Sequence, residues 1–409
     1  MTTPDIAAPK VAFVIASRGP SVGGHFWSLR TTVEALSAEM DCFVVDIGVS
    51  RSPVVESASA RSYHVRFTGW NIWSAFRGVS EIIRHERPDV IHLFDGRVDF
   101  LARLASIRHR IPLVRTKCGG PPPRRFFPHF GTVIVYSAED RDWFSGSRKF
   151  ARSTIKLIPN RLAPFDCDPE LIADLRSRID PGRPVILRIA RFCGHYEESM
   201  RQGINLVRRL NEDGIGCQLV IVGVPHEPAV YQRTAERSGE HVYIFTEERF
   251  TRNAKRLIDI ADLVIGTGRG FMEAASRGRV LLTPLAEGDL PLLVTEENFP
   301  SVFATNLSPR NRVEDYEPES NYDRIRRALV DEEYRRRLSE FACHLHKEHF
   351  DVYSALEKHC AVYRDLRYGT RISARDLARG LYGVLRWAWS KRAGPVRGRD
   401  EKPHDRERK

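Results

Sequence analysis

The sequence predicts an α/β protein with two doubly wound domains, each built on a parallel β-sheet that helices cover on both faces. Short apolar runs, which indicate buried strands, alternate along the chain with the apolar spacing of helices. This alternation occurs in two series of about 150 residues each, and 409 residues suffice for two such domains. The apolar fraction of 42 % provides a core for each domain and excludes a disordered chain.

The first series gives the strands and helices of the first domain. Its strands are expected at 11–16, 42–47, 89–94, 111–115 and 132–136, with helical patterns at 27–36, 74–85 and 100–107. Because the strand runs are apolar on both faces, each is expected inside a parallel sheet with helices on both sides.

The second series repeats the pattern. Its strands are expected at 184–190, 218–223, 241–245, 261–265 and 280–283, with helical patterns around 204–210, 254–260 and 271–277. Residues 321–368 then show a charged helical pattern and no strand. Ligands of open α/β sheets bind beyond the carboxyl ends of the strands, so the loops after these strands are expected to face a shared cleft.

Most of the net charge of +11 lies at the end of the chain. Residues 371–409 carry twelve lysines and arginines against five acidic residues, which leaves only +4 for the rest. A run from Leu377 to Trp389 has helical apolar spacing among these basic residues, as in helices that lie on anionic membrane surfaces. The alternative is a helix docked on the protein body and followed by a solvated tail. Nucleic-acid binding is not expected, because the charge accompanies no recognised module.

The remaining composition favours a cytoplasmic protein. No apolar run reaches eighteen residues and the first ten residues are polar, so we expect neither a spanning helix nor a secretory signal. The seven cysteines are scattered singly, which indicates reduced thiols and no cysteine-based zinc site.

A glycine-rich loop at 266–270 is the leading candidate for ligand binding. It follows a predicted strand and opens a helix, so Gly268, Arg269 and Gly270 are expected to face a phosphate with amides and positive charge. Glu273 is placed to accept hydrogen bonds from ribose hydroxyls, or it only stabilises the helix start. The loop lacks the G-x-G-x-x-G spacing of dinucleotide-binding folds.

Arginines and further loops complete the candidate site. Arg191 follows the first strand of the second series, and Arg201 lies ten residues on; a guanidinium suits a diphosphate. In the first domain, Gly23 and Gly24 precede a helix. Lys117 begins another loop, which contains two arginines and either holds an acceptor or phosphates or is only a proline-stiffened surface turn. No metal motif or cofactor motif is present, and no catalytic residue can be assigned.

These motifs together resemble the bacterial family-4-type glycosyltransferases of the GT-B fold. The resemblance rests on the following positions over roughly residues 10–368: Gly23 and Gly24, 88–92, 158–160, Arg191, and 266–278 with Glu273. It implies metal-independent transfer of a sugar, usually a hexose and usually with retention, from a nucleotide sugar to a polysaccharide or glycolipid acceptor. It also implies a Rossmann-like acceptor domain at 1–165, a Rossmann-like donor domain at 166–350, a crossover helix at 351–368 and a basic tail at 369–409.

The chain departs from the family pattern at three positions. Ile265 stands where a first donor-loop glutamate is common, and Tyr196 stands where a basic residue is common, so Arg201 would serve instead. Cys118 replaces a histidine that often follows the fourth strand. Two alternatives to a glycosyltransferase therefore stay open: a nucleotide-sugar epimerase of the same fold, and a non-catalytic binding subunit.

Overall fold

The computed structural model of the chain describes residues 8–17, 23–94, 98–120, 122–123, 127–314, 316–366 and 374–392. For residues 386–392 it describes the backbone alone. The seven cysteines all fall within these ranges as free thiols.

The first half of the chain forms a parallel sheet of seven strands in the order β3-β2-β1-β4-β5-β6-β7. The strands are β1 Val11–Ser17, β2 Cys42–Gly48, β3 Arg61–Arg66, β4 Val90–Leu93, β5 Leu113–Lys117, β6 Thr132–Val135 and β7 Thr154–Leu157. The helices are α1 Gly24–Leu36, α2 Pro53–Glu56, α3 Ile72–Glu86, α4 Asp99–His109 and α5 Ala138–Gly146.

The second half forms a sheet of six strands in the order β10-β9-β8-β11-β12-β13. The strands are β8 Val185–Ile189, β9 Gln218–Val222, β10 Val242–Phe245, β11 Leu263–Ile265, β12 Val280–Thr283 and β13 Leu292–Leu293, of which β13 alone is antiparallel to its neighbour. The helices up to residue 345 are α6 Pro169–Arg176, α7 Gly194–Glu212, α8 Pro228–Arg237, α9 Glu248–Thr251, α10 Arg269–Ser276, α11 Phe299–Ala304, α12 Pro318–Val330 and α13 Glu332–Leu345.

Both sheets are covered on both faces, as the sequence predicts. In β1, Phe13 and Ile15 belong to one apolar core and Val14 and Ala16 to another, and all four side chains are buried. The second sheet likewise divides two apolar cores. Because a strand buried on both faces favours apolar residues on both, the central strands are mostly apolar, and buried polar residues such as His92 in β4 and Arg188 in β8 are exceptions that have hydrogen-bond partners.

The structure adds elements that the sequence analysis did not predict: the strands β3, β7 and β13 and the helices α2, α5, α6, α8, α9 and α11. The helical pattern at 254–260 forms a 3₁₀ segment, Ala254–Ile260, instead of an α-helix. In β7 the exposed Thr154 and Lys156 alternate with half-buried residues, as in an edge strand that covers the core with one face. Such a strand carries too few apolar residues to be recognised as a buried run.

The chain returns to the first half after α13. A π-helical turn at His346–Phe350 and a 3₁₀ turn at Tyr353–Ala355 lead to helix α14, Leu356–Asp365. From α14, Val362 and Tyr363 pack in the core of the first sheet, and the Tyr363 hydroxyl lies 2.8 Å from His92 Nδ1. The crossover helix is therefore shorter than the predicted 351–368, of which residues 367–368 lie outside the described ranges.

Helix α15, Ala374–Arg392, docks on α4 of the first half. Val384 is buried in the core of that half, and a Cβ atom at Gly380 would lie 3.2 Å from Phe100 Cβ. Asp376 accepts a hydrogen bond from the His129 amide over 3.2 Å. The predicted amphipathic helix is present and is docked on the protein body. Within the described ranges, no helix has the length and apolarity to cross a membrane.

Candidate functional site

A cavity of about 920 Å³ lies between the carboxyl ends of the two sheets. The loops after β1, β5, β8, β9 and β11 line it, together with residues 251–255 and 306–310. This is the edge at which open α/β sheets bind ligands, because their strands end there in exposed loops. Five cationic side chains and one carboxylate line the cavity, which favours an anionic ligand: Arg191, Arg252, Lys255, Arg269, Arg310 and Glu273.

The glycine-rich loop lines this cavity but uses two of its amides internally. Gly268 N donates to the Leu307 carbonyl at 2.8 Å, and Gly270 N donates to the Thr267 carbonyl at 3.1 Å. Gly268 has φ +48°, a backbone conformation that favours glycine. These two glycines therefore shape the loop and allow a ligand to approach its backbone closely. Their amides are engaged in hydrogen bonds within the protein, contrary to the expectation that they bind phosphate.

Glu273 lies on the second turn of α10, because that helix begins at Arg269. Its carboxylate forms an ion pair with Arg269 at 3.0 Å, and the two side chains are 12 % and 16 % exposed. Burial raises the pKa of Glu273 above its ordinary value, while the charges of Arg269 and Lys255 act in the opposite direction. A position beyond the first turn disfavours the helix-start interpretation and leaves a carboxylate beside the cavity.

An aromatic residue of the first half faces the same cations. The Trp27 ring centroid lies 6.0 Å from Lys255 Nζ, 6.0 Å from Arg269 Cζ and 5.5 Å from Arg30 Cζ. The half-buried Lys255 makes no ion pair with any described residue, and burial lowers its pKa. Sequence reasoning missed Trp27 and Lys255, since a tryptophan on an amphipathic helix and a lysine in a loop carry no distinctive spacing.

Arg191 lies at the carboxyl end of β8 and lines the cavity. Its side chain is exposed and has no hydrogen bond or ion pair with a described residue. Below it, Arg188 is fully buried, donates from Nη1 to the Ile265 carbonyl at 2.9 Å, and leaves Nε without a partner in the described part of the chain. Burial lowers the pKa of Arg188 to about 10. Arg188 therefore contacts the strand end that leads into the glycine-rich loop.

Two predicted site residues do not line the cavity. Arg201 donates to Glu198, to Asp289 at 2.8 Å and to the Gly288 carbonyl at 2.7 Å, because it lies on α7 facing the loop after β12. Lys117 is buried, with Nζ 3.1 Å from Asp140 and within 3.3 Å of the Gly119 and Gly120 carbonyls. Lys117 thus shapes its loop from within. The two arginines of that loop, at 124 and 125, lie outside the described residues.

The two glycines of the first half line the cavity at the start of α1. Gly23 has extended backbone as the residue before the helix, and Gly24 begins it. Next to them, the Ser28 hydroxyl donates to Asn160 Oδ1 at 2.6 Å, and both residues line the cavity with the buried Tyr136. This pair joins α1 to the segment that connects the halves.

A loop that sequence reasoning did not single out closes one side of the cavity. The 305–311 loop contains Asn306 and Leu307 with φ of +57° and +55°, which is uncommon outside glycine. Arg310 of this loop lines the cavity and pairs with Glu139 of α5, with Nη1 2.8 Å from Oε1 and Nη2 2.9 Å from Oε2. The Ser-Pro-Arg-Asn run at 308–311 is a turn signal, but turn signals do not indicate which loop reaches a cleft.

Two doubly wound Rossmann-like sheets with a cavity between their carboxyl ends define a protein of the GT-B fold. HepE from Anabaena, solved in complex with UDP and glucose, is 15 % identical over 88 % of this chain and 100 % of its own, with a TM-score of 0.62. A glycosyltransferase from Rickettsia africae ESF-5 is 14 % identical over 88 % of this chain and 98 % of its own, with a TM-score of 0.66.

The fold is shared beyond these two structures. A putative UDP-N-acetylglucosamine 2-epimerase from Listeria monocytogenes is 16 % identical over 87 % of this chain and 96 % of its own, with a TM-score of 0.53. No family model matches the chain, and no curated protein is similar to it in sequence. At identities this low the solved structures establish the fold of the chain, and its activity has to be argued from the cavity.

Proposed function

We propose that the chain is a glycosyltransferase that moves a hexose from a nucleotide-sugar donor to a polysaccharide or glycolipid acceptor, with retention and without a metal ion. The observation that carries this proposal is Arg191, a cation without an acidic partner among the described residues, which lines a cationic cavity together with Glu273. In this proposal residues 166–350 form the donor domain and residues 1–165 the acceptor domain. The family-4-type assignment belongs to the same proposal.

The arrangement suits stabilisation of a departing nucleoside diphosphate. When the bond between sugar and phosphate breaks, negative charge develops on the diphosphate, and a preorganised guanidinium lowers the barrier without reorganisation. Arg191 provides two parallel donors for such an oxyanion, and the buried Arg188 adds positive potential. The ionised Glu273 accepts hydrogen bonds from ribose hydroxyls at the other end of the donor.

The solved structures support the donor class. HepE is solved with UDP and glucose and with UDP-glucose, and its fold covers 88 % of this chain. A cavity of about 920 Å³ with a net positive lining fits a nucleotide sugar, since ligand sites of this kind have volumes of about 300–1,000 Å³.

A nucleotide-sugar epimerase is the second candidate. The Listeria structure favours it, because that protein is a putative UDP-N-acetylglucosamine 2-epimerase and its fold covers 87 % of this chain. An epimerase changes the sugar nucleotide without an acceptor, whereas a transferase releases the nucleoside diphosphate only as the sugar moves to an acceptor or to water. A non-catalytic binding subunit would bind the nucleotide sugar and leave it unchanged.

The proposal includes a cytoplasmic location on the inner face of the membrane. One face of α15 packs on the first half through Asp376, Gly380 and Val384, while Tyr382 and Leu385 on the other face are 65 % and 39 % exposed. A tyrosine and a leucine beside arginines suit the headgroup region of an anionic leaflet. Much of the basic tail, residues 371–373 and 393–409, lies outside the described residues.

The test is a thermal-shift screen of the purified protein against UDP, GDP, ADP and their sugar derivatives, followed by product analysis. A ligand that binds the folded state raises the unfolding midpoint. For the sugar nucleotide that gives the largest shift, mass spectrometry with and without an extract of glycolipid acceptors distinguishes the candidates. Acceptor-dependent release of nucleoside diphosphate supports a transferase, an isomerised sugar nucleotide supports the epimerase, and an unchanged one supports the binding subunit.

A further inference from the structure

Among the described residues that line the cavity, Arg310 is the only one that forms an ion pair with the opposite half of the molecule. It belongs to the 305–311 loop of the second half, and its partner Glu139 lies in the first turn of α5 in the first half. The guanidinium and the carboxylate meet through two parallel contacts of 2.8 Å and 2.9 Å. This geometry is the one that arginine adopts with a phosphate as well as with a carboxylate.

The loop that carries Arg310 is fixed firmly to the second half. Asn311, which is fully buried, donates to Thr283 Oγ1 at 3.0 Å and to the Pro284 carbonyl at 3.2 Å. The Leu307 carbonyl accepts the Gly268 amide at 2.8 Å, so the loop is also joined to the glycine-rich loop. The backbone that presents Arg310 is therefore held on both sides, and only the side chain has to turn.

Arg310 and Arg191 act on the same part of the cavity. Both side chains line it together with His195. Burial, followed by the positive charges of Arg191, Arg310 and Arg188, lowers the pKa of His195. The positive charges of these arginines therefore act on one imidazole of the cavity lining, and Glu139 forms an ion pair with one of them, Arg310.

The ion pair between Arg310 and Glu139 is also suited to exchange. The side chains are 38 % and 26 % exposed, so water screens their attraction, and ion pairs at such positions add little to stability. A diphosphate carries more negative charge than one carboxylate and has several oxygens for a guanidinium. It therefore competes effectively for Arg310 once it enters the cavity.

We propose that Arg310 is a second phosphate-binding arginine, which Glu139 of the first half holds at the cavity mouth until the diphosphate of the donor takes its guanidinium. The inference rests on the proposed function, because it names a further residue of the same donor site. It also assigns to Arg310 the role that the sequence suggested for Arg201, whose guanidinium is engaged by Glu198 and Asp289.

The test compares two variants that break the same ion pair. Arg310→Gln removes the cation from the cavity. Glu139→Gln keeps Arg310 and replaces the carboxylate that pairs with it by a neutral amide. The nucleoside diphosphate selected by the wild-type protein and its parent nucleoside, which lacks phosphates, are titrated by calorimetry against both variants. We expect Arg310→Gln to raise the Kd of the diphosphate about tenfold or more, as for a lost hydrogen bond to a charged group. Glu139→Gln should change it less than threefold, and neither variant should change the Kd of the nucleoside.

The matched control is Arg233→Gln, which breaks a comparable ion pair with Glu197. That pair also has two contacts, each of 2.8 Å, and Arg233 does not line the cavity. Unfolding midpoints of all variants show whether each is folded. Equal losses for Arg310→Gln and Glu139→Gln would overturn the inference, because Arg310 would then act only by joining the halves. A wild-type protein that binds none of the diphosphates would contradict the proposed function itself, and the two failures are thus distinct.

Discussion

The guanidinium of Arg269 lies 3.0 Å from the carboxylate of Glu273, and both side chains are largely buried beside the cavity. Residues at this i, i+4 spacing meet on one face of α10, so the ion pair orients the carboxylate toward the cavity. Lys255 adds a second positive charge near the same carboxylate. The cavity lining is therefore organised by charge pairs within one half as well as by loops.

We expect Glu273→Gln to weaken donor binding about tenfold or more while leaving the protein folded, because a neutral amide accepts weaker hydrogen bonds from ribose hydroxyls. Calorimetric titration of the selected nucleoside diphosphate measures this loss. Arg336→Gln, which breaks an exposed ion pair on α13, is the control. An affinity equal to that of the wild type would show that Glu273 has only a structural role.

The same residue predicts a pH dependence of donor affinity. Burial raises the pKa of Glu273, so its carboxylate becomes protonated at a higher pH than an ordinary glutamate. Because the ionised form is the better acceptor, affinity should fall as the pH decreases through this raised pKa. Titrations from pH 8 to pH 4 should show that loss in the wild type and a flatter profile in Glu273→Gln. Parallel profiles for the two proteins would assign the loss to another group.

Arg191→Ala is expected to abolish sugar transfer without unfolding the protein. The side chain is exposed and has no partner among the described residues, so its removal should change the free energy of unfolding by no more than about 0.5 kcal/mol. Turnover of the donor and the unfolding midpoint test the two parts separately. Arg208→Ala on α7, also exposed, is the matched control and should retain full turnover. Turnover of Arg191→Ala near that of the wild type would remove Arg191 from the site.

The exposed face of α15 predicts binding to anionic membranes. Full-length protein should sediment with vesicles that contain phosphatidylglycerol, and a chain that ends at Tyr368 should not. Because that truncation also removes the buried Val384, a Tyr382→Ser/Leu385→Ser variant retains the docked face and tests the exposed one. Neutral vesicles are the control for charge. Equal sedimentation of all three proteins would assign membrane binding, if any, to another surface.

Two buried histidines predict a loss of stability in acid. Burial lowers the pKa of His359 to about 4 and holds the pKa of His92 well below its ordinary value of about 6.5. Both are therefore neutral in the folded protein, and below pH 6.5 the unfolded chain binds more protons than the folded one. The free energy of unfolding should thus fall as the pH decreases from 6.5 to 4, by up to about 1.4 kcal/mol per pH unit for each histidine.

Denaturant unfolding at several pH values measures this slope. His359→Leu should reduce it, because one of the two buried imidazoles is removed. The exposed His226, changed to Gln, should leave the slope unaltered. If His359→Leu has the wild-type slope between pH 6.5 and 4, other groups are responsible for the acid sensitivity.

The sequence was most informative where burial is complete. The central strands of both sheets are mostly apolar, and the loops after β1, β5, β8, β9 and β11 do meet at one cavity. The edge strand β3 was missed, because its residues from Arg61 to Arg66 are mostly polar and cover the core with one face. A short strand without a continuous apolar run or a clear alternation of apolar and polar residues gives only a weak sequence signal.

The site could be predicted only in part, because sequence spacing does not give the direction of a side chain. Arg201 was expected in the cavity from its distance to Arg191, but the rotation of α7 turns it toward Asp289. Lys117 was expected at a strand end, but its partner Asp140 lies 23 residues further along the chain and draws it inward. Arg310 was not considered, since its contact with Glu139 spans 171 residues.

The two connections between the halves run side by side. Leu162 N donates to the Phe350 carbonyl at 2.7 Å, and Val352 N donates to the Leu162 carbonyl at 3.1 Å. Leu162 and Asp351 form an isolated parallel bridge. The backbone of each connection is therefore held by the backbone of the other, so a substitution at this bridge acts on both connections at once.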